Sequence, residues 1–258
     1  MLNQSLEEHY MSYHPTIGRH PVSTTQTATY DAGLRAYMLN IYNYMASGLV
    51  LTGIIALLAS QSQAFLGLIY IMENGVITGM KPLAWLVMLA PLGMALALGF
   101  GVQRMSVLGA QAAFWAFSVV MGLSLTSIFL GYTGNSIARV LFITAGTFGA
   151  MSLYGYTTKR DLSKFGSFLI MGVIGLILAS LVNIFLESSA LHFALSAIGV
   201  LLFTGLSAYD TQRLKEMYYQ STLEGEGMAK MVIMGALTLY LDFINIFVSL
   251  MQLIGERR

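Results

Sequence analysis

The sequence predicts an all-α fold, an integral membrane bundle of seven transmembrane helices, and three observations lead there. Of 258 residues, 56% are hydrophobic and only 10% are charged, whereas a soluble domain carries about a quarter charged. The mean hydropathy is +0.70, so a water-soluble globule of this composition would expose large apolar patches. Seven apolar runs approach or exceed the ~20 residues needed to cross a hydrocarbon core about 30 Å thick. None of them holds Lys or Arg well inside its boundaries.

Taken in chain order, residues 1–35 are polar and mixed, and they read as a cytoplasmic N-terminal tail. His9, His14 and His20 share no helical face, so a solvated, disordered segment accounts for them better than a metal site. No apolar stretch follows a basic start, so the first run serves as an uncleaved insertion signal. Residues 36–258 form one transmembrane domain, with runs at 36–59, 83–103, 105–130, 140–158, 165–186, 191–212 and 230–254. The connection from 60 to 82 contains Phe65, Leu66, Ile69 and Tyr70. It is too short to span, and we expect it to lie in the interface or dip back. Gly93, Ala97 and Gly101 in the second run, with Gly172 and Gly175 in the fifth, are small residues spaced to let helix backbones approach.

With the N-terminus inside, cytoplasmic segments hold Arg19, Arg35, Arg104, Lys159, Arg160, Lys164, Arg213, Lys215 and Lys230. The opposite side holds Lys81, Arg139, Arg257 and Arg258, and that imbalance sets the N-terminus in the cytoplasm. A net charge of +1 gives no reason to expect nucleic acid as a partner. The absence of cysteine excludes disulfides and thiolate metal sites.

Asp242 is the one formally charged residue well inside a run. Near a helix centre an aspartate costs about 2.5–3.5 kcal/mol on insertion scales, so it needs a proton, a partner or water. Thr238, Asp242, Asn245, Ser249 and Gln252 follow steps of four and three, which puts five polar side chains on one helical face. Such a stripe is expected to face protein or a water-filled cavity rather than lipid.

Asp210 sits at the cytoplasmic edge of the sixth run, in a hairpin with the seventh. Two carboxylates in one poorly solvated site cannot both ionise cheaply, and that is the basis of a two-acid pH sensor. Counting along the runs leaves Asp210 about 10 Å shallower than Asp242 at 1.5 Å per residue. A deeper sixth helix, or a seventh that starts outside the membrane, would close that gap. Arg104, at the end of the second run, is a candidate cation for the aspartates and a candidate topology anchor. Asn40, Asn43 and Ser47, and likewise Ser180, Asn183 and Glu187, form further polar faces suited to interhelical hydrogen bonding. No nucleophile elbow, H-E-x-x-H or P-loop occurs, so no enzyme is expected. Asp242 also lacks the G-x-G-D setting of intramembrane aspartyl proteases.

The segment Ala208-Tyr209-Asp210-Thr211-Gln212-Arg213-Leu214 resembles a hallmark of the Bax inhibitor family, the transmembrane Bax inhibitor motif proteins. So does Thr238-Leu239-Tyr240-Leu241-Asp242-Phe243-Ile244-Asn245, and residues 156–168 resemble the bacterial branch. The resemblance runs from about residue 30 to the end. It implies seven helices with a central last helix, and a pH-sensitive calcium leak gated by the positions of Asp210 and Asp242. It also implies an arginine latch, for which Arg104 is the candidate. On that reading the two aspartates are the metal-contacting groups, and calcium is transported cargo rather than a permanently bound cofactor. The polar stripe adds oxygens along the path, since calcium takes six to eight. The implied location is a bacterial inner membrane, or an organelle membrane if the source is eukaryotic. An alternative function is stress or cell-death control by binding a membrane protease or another membrane partner. The connection through Glu224, Gly225, Glu226 and Gly227 is long for the bacterial branch, and the tail after the last helix is short.

Overall fold

The computed structural model describes residues 24–73 and 76–258, so the three histidines of the tail lie outside the described residues. Within lipid a backbone must satisfy its polar groups internally, and the chain does so with helices throughout its spans. They are α1 (Thr24–Gln61), α3 (Pro82–Gly101), α4 (Val107–Ser124) continued by α5 (Thr126–Gly131), α6 (Gly134–Thr157), α7 (Ser163–Leu186), α8 (Ser189–Gln220) and α9 (Glu226–Ile254). Seven spans result, each long and apolar enough to cross a bilayer. Helix α1 begins at Thr24, twelve residues before the boundary the sequence suggests.

The connection after α1 is too short to span and carries secondary structure of its own. It folds into the short helix α2 (Gln63–Ile69) and an antiparallel hairpin of β1 (Tyr70–Glu73) and β2 (Val76–Met80). Leu66, Ile69 and Tyr70 pack with Ala84 at the start of α3. This apolar cluster is what the alternating residues of that stretch encode.

Helix α9 is the centre of the bundle. In its most apolar stretch 72% of residues are buried, against 39% or less in every other span and none in α7. It packs against α3, α4, α6 and α8, while α7 touches α8 from outside. The closest approaches come at glycines other than those the spacing suggests. A Cβ on Gly155 of α6 would collide with the Ala208 carbonyl of α8, and one on Gly122 of α4 would sit 2.7 Å from the Thr52 carbonyl of α1. Gly172 does meet α8, at Leu202, but Gly93 and Gly175 have nothing within 4 Å. Periodicity alone does not say which face of a helix meets protein.

The chain end is clasped to the α5–α6 turn. Thr133 N donates to Glu256 O at 3.0 Å and Arg258 N to Gly131 O at 3.0 Å. Arg139 pairs with Glu256 at 2.9 Å.

Candidate functional site

Helix α8 runs to Gln220, eight residues beyond the end of its apolar run. Helix α9 starts at Glu226, so only residues 221–225 connect them. Gly225 turns that corner at φ +56°, a left-handed conformation that favours glycine. The long connection read from the sequence is thus mostly helix. The antiparallel register follows from contacts along the pair. Ser196 Oγ donates to Gln252 Oε1 at 3.1 Å, Gly199 faces Ser249, and Gly235 faces Leu214. This register carries Asp210 to within about one helical turn of Asp242. The expected gap of about 10 Å closes because α9 starts early and α8 ends late.

The two carboxyl groups lie within hydrogen-bonding reach of each other. Asp210 is 8% exposed and Asp242 5%. A hydrogen bond between two carboxyl groups requires one of them to be protonated, so the pair can close on itself only while it carries a proton. Asp242 Oδ2 has no partner among the described residues. A buried oxygen left this way costs about 1–3 kcal/mol, more where it is charged, which disfavours the fully ionised pair in this arrangement.

The cation whose charge bears on Asp210 is Arg213, one helical turn further along α8. Arg104 stands exposed on the 3-10 turn Val102–Arg104 between α3 and α4.

The polar stripe on α9 is mixed in its burial. Thr238, Asn245 and Ser249 are only half-buried and Gln252 is exposed, while the apolar faces of the helix are buried almost all round. Asp242 within the stripe is buried, and Ser249 and Gln252 meet α8 at Gly199 and Ser196. Two cavities lie along this seam. One of about 160 Å³ lies between α8 and α9 beside Asp210, Arg213 and Thr238. The other, of about 240 Å³, lies toward the opposite end among α7, α8 and α9, and is lined by Ser180, Asn183, His192, Ser196, Ser249 and Gln252. Asn245 sits between them with its amide donating to Leu241 O at 2.9 Å. Asp210 lines the first cavity, whose other walls are mostly apolar, and the second cavity lies further along the α8–α9 seam. Of the other polar faces, Ser180 and Asn183 line a cavity, Glu187 is exposed, and Asn40, Asn43 and Ser47 point outward from α1.

Two buried hydroxyl networks flank the pair and escaped the sequence reading. Thr52 of α1 donates to Ser118 O at 2.8 Å and lies 2.6 Å from the Tyr240 hydroxyl, which ties α1 and α4 to α9 two residues before Asp242. Ser152 of α6 bridges Tyr42 at 2.8 Å and Thr211 at 2.7 Å, beside Asp210. The rest of that segment is structural. The Gln212 side chain accepts from Leu162 N at 2.7 Å and donates to Arg160 O at 2.8 Å, clamping the α6–α7 turn. Tyr209 fills the space over Gly166. Lone hydroxyls and amides are common in apolar runs, so only the partners across the bundle mark these residues.

Among the described residues no three His, Cys, Asp or Glu side chains gather. Two carboxylates are far short of the six to eight oxygens that hold calcium in a resident site.

A family model described as Inhibitor of apoptosis-promoting Bax1 matches residues 34–258. The chain is 49% identical over 236 residues to the uncharacterized protein RP147 of Rickettsia prowazekii, covering 92% of this chain and 96% of that protein. An uncharacterized protein of Caulobacter vibrioides is 48% identical over 228 residues, which cover 88% of this chain and 91% of the relative. Inner membrane protein YbhL of Escherichia coli K12 is 47% identical over 228 residues, covering 88% and 94%.

Proposed function

The chain belongs to the Bax inhibitor family of membrane proteins, and from that premise we propose that it is a pH-sensitive calcium leak channel gated by Asp210 and Asp242. The observation that carries this reading is the buried carboxyl pair, with Asp210 lining one cavity of the α8–α9 seam and a second, more polar cavity lying further along it. While the pair shares a proton it closes the groove. Conduction requires the carboxyls to part and the cavities to join, and a carboxylate on the path then replaces part of the calcium hydration shell. Arg213 supplies the positive charge beside the gate, and the exposed Arg104 anchors the turn at that end. The protein works by permeation and not by catalysis. Its location is the inner membrane, as in the name of the Escherichia coli relative, with the basic end of the bundle in the cytoplasm.

The test is calcium flux in proteoliposomes across a pH series. Asparagine keeps the shape of aspartate and cannot titrate, so Asp210→Asn and Asp242→Asn should each flatten the pH dependence. The double variant should go no further than either single one, since the pair titrates as a unit. Unaltered pH dependence in both single variants would sink the pair as the gate.

A further inference from the structure

An open crevice of about 880 Å³ runs between α1 and α6 on the side of the bundle away from the carboxyl groove. That size falls within the usual range for ligand sites, ~300–1,000 Å³. Its walls are apolar, with Ile54 and Leu57 from α1 facing Leu141 from α6. Its inner end is closed by Met45, Phe148 and Phe243, and the last two stack edge to face at 5.6 Å between centroids. From Gly134 to Phe148 the crevice covers about 21 Å at 1.5 Å per residue. Starting from one headgroup region, that length passes the middle of a hydrocarbon core about 30 Å thick.

The mouth is unlike the walls. Arg258, Gln61 and Ser60 stand there, and Arg258 is placed by its backbone bond to Gly131 O at 3.0 Å. The neighbouring acid, Glu256, is engaged with Arg139, which leaves the Arg258 guanidinium without that counter-charge. Helix α6 also begins at the mouth with Gly134, so its positive dipole end faces the same spot.

We propose that this crevice is a binding site for an anionic phospholipid, with an acyl chain between α1 and α6 and the phosphate at Arg258 and Gln61. Arginine matches a phosphate bidentately, and the guanidinium selects the negative headgroup over a zwitterionic one. The slot opens sideways within the span, so a lipid enters it from its own leaflet. The site stands apart from the carboxyl groove and does not depend on ion conduction.

Phosphatidylglycerol carrying a diazirine in its acyl chain is the probe, as a minor component of phosphatidylcholine vesicles holding the full chain. Irradiation and peptide mapping then compare crevice residues such as Leu141 with Leu181 on the outer face of α7. Several-fold stronger labelling at Leu141 is expected. Labelling at the two positions in equal yield would mean bulk lipid only and overturn the site. Gly53 lies in the crevice with nothing within 4 Å of an added Cβ. The variant Gly53→Phe therefore projects a ring into the slot from a position with room for its Cβ and should cut Leu141 labelling to the α7 level; undiminished labelling there overturns the placement of the chain. Arg258→Gln should erase the preference for the phosphatidylglycerol probe over a phosphatidylcholine one. A preference that survives that change overturns the headgroup assignment, as does equal labelling by a diazirine diacylglycerol, which carries no charged headgroup.

Discussion

Asp242 was legible as a special residue because a carboxylate in an apolar run has no cheap explanation, and its neighbour Asp210 was found through the hairpin that joins their helices. Gly155 was not legible. The chain has 26 glycines, and only the fold reveals that this one lies against the Ala208 carbonyl. Adding one methyl there forces two backbones apart, an overpacking that costs about 1–3 kcal/mol. Gly175 offers the matched control, since nothing lies within 4 Å of an added Cβ and alanine in a helix interior gains about 0.5–1 kcal/mol over glycine. Thermal unfolding in detergent should show Gly155→Ala melting below the parent and Gly175→Ala at or above it. The reverse order would mean that α6 and α8 do not meet at Gly155. Such a shift would also move Ser152 away from Thr211, so the flux of Gly155→Ala should fall even with both aspartates intact.

At the level of elements, the spans were readable and their ends were not. Apolar runs stop where lipid stops, but α8 continues through Arg213 and on to Gln220, because a helix needs no apolar residues once it leaves the membrane. The α6–α7 turn shows how such an end is held. Asp161 Oδ1 accepts from Ser163 N at 2.9 Å, at the start of α7. That hydrogen bond, with Ser163's hydroxyl and the charge of Lys164 assisting, holds the Asp161 carboxyl below the ordinary aspartate range. A lowered value means the bond is fully present above the unfolded-state pKa. It is lost only as pH falls through the lowered one, below the usual ~3.9. A carbon-13 titration of Asp161 should give a midpoint under that value, and Ser163→Pro, which removes the amide, should move it back up. A midpoint at or above ~3.9 in the parent would contradict the bond. The α9 stripe carries the complementary lesson. Its periodicity puts five polar residues on one face, but the same pattern fits a buried seam and an open groove, and here Asp242 is buried while Gln252 is exposed.

For the whole molecule, the two cavities of the α8–α9 seam lie toward opposite ends of the bundle, one lined by Asp210 and Thr238 and the other by Ser249 and Gln252. An odd number of spans puts α1's start and α9's end on opposite sides, and the basic clusters of Lys159, Arg160, Lys164, Arg213 and Lys215 lie at the end from which Asp210 is reached. The chain contains no cysteine, so single cysteines report on this arrangement without background. Thr238 lines the cavity at the basic end and Gln252 the cavity at the other. In sealed right-side-out vesicles, a membrane-impermeant thiol reagent added outside should modify Gln252→Cys and spare Thr238→Cys, and inverted vesicles should exchange the two. Asn245→Cys, between the cavities, should resist from both sides while the carboxyl pair is in contact, and become reactive under the pH at which calcium flux is highest. Reaction of Thr238→Cys from both sides at every pH would show a groove with no gate in it. Reaction of Thr238→Cys from outside alone would invert the orientation that the charge asymmetry assigns while leaving the proposed gate in place, because a barrier at Asp210 and Asp242 would separate the two cavities whichever way the bundle is inserted.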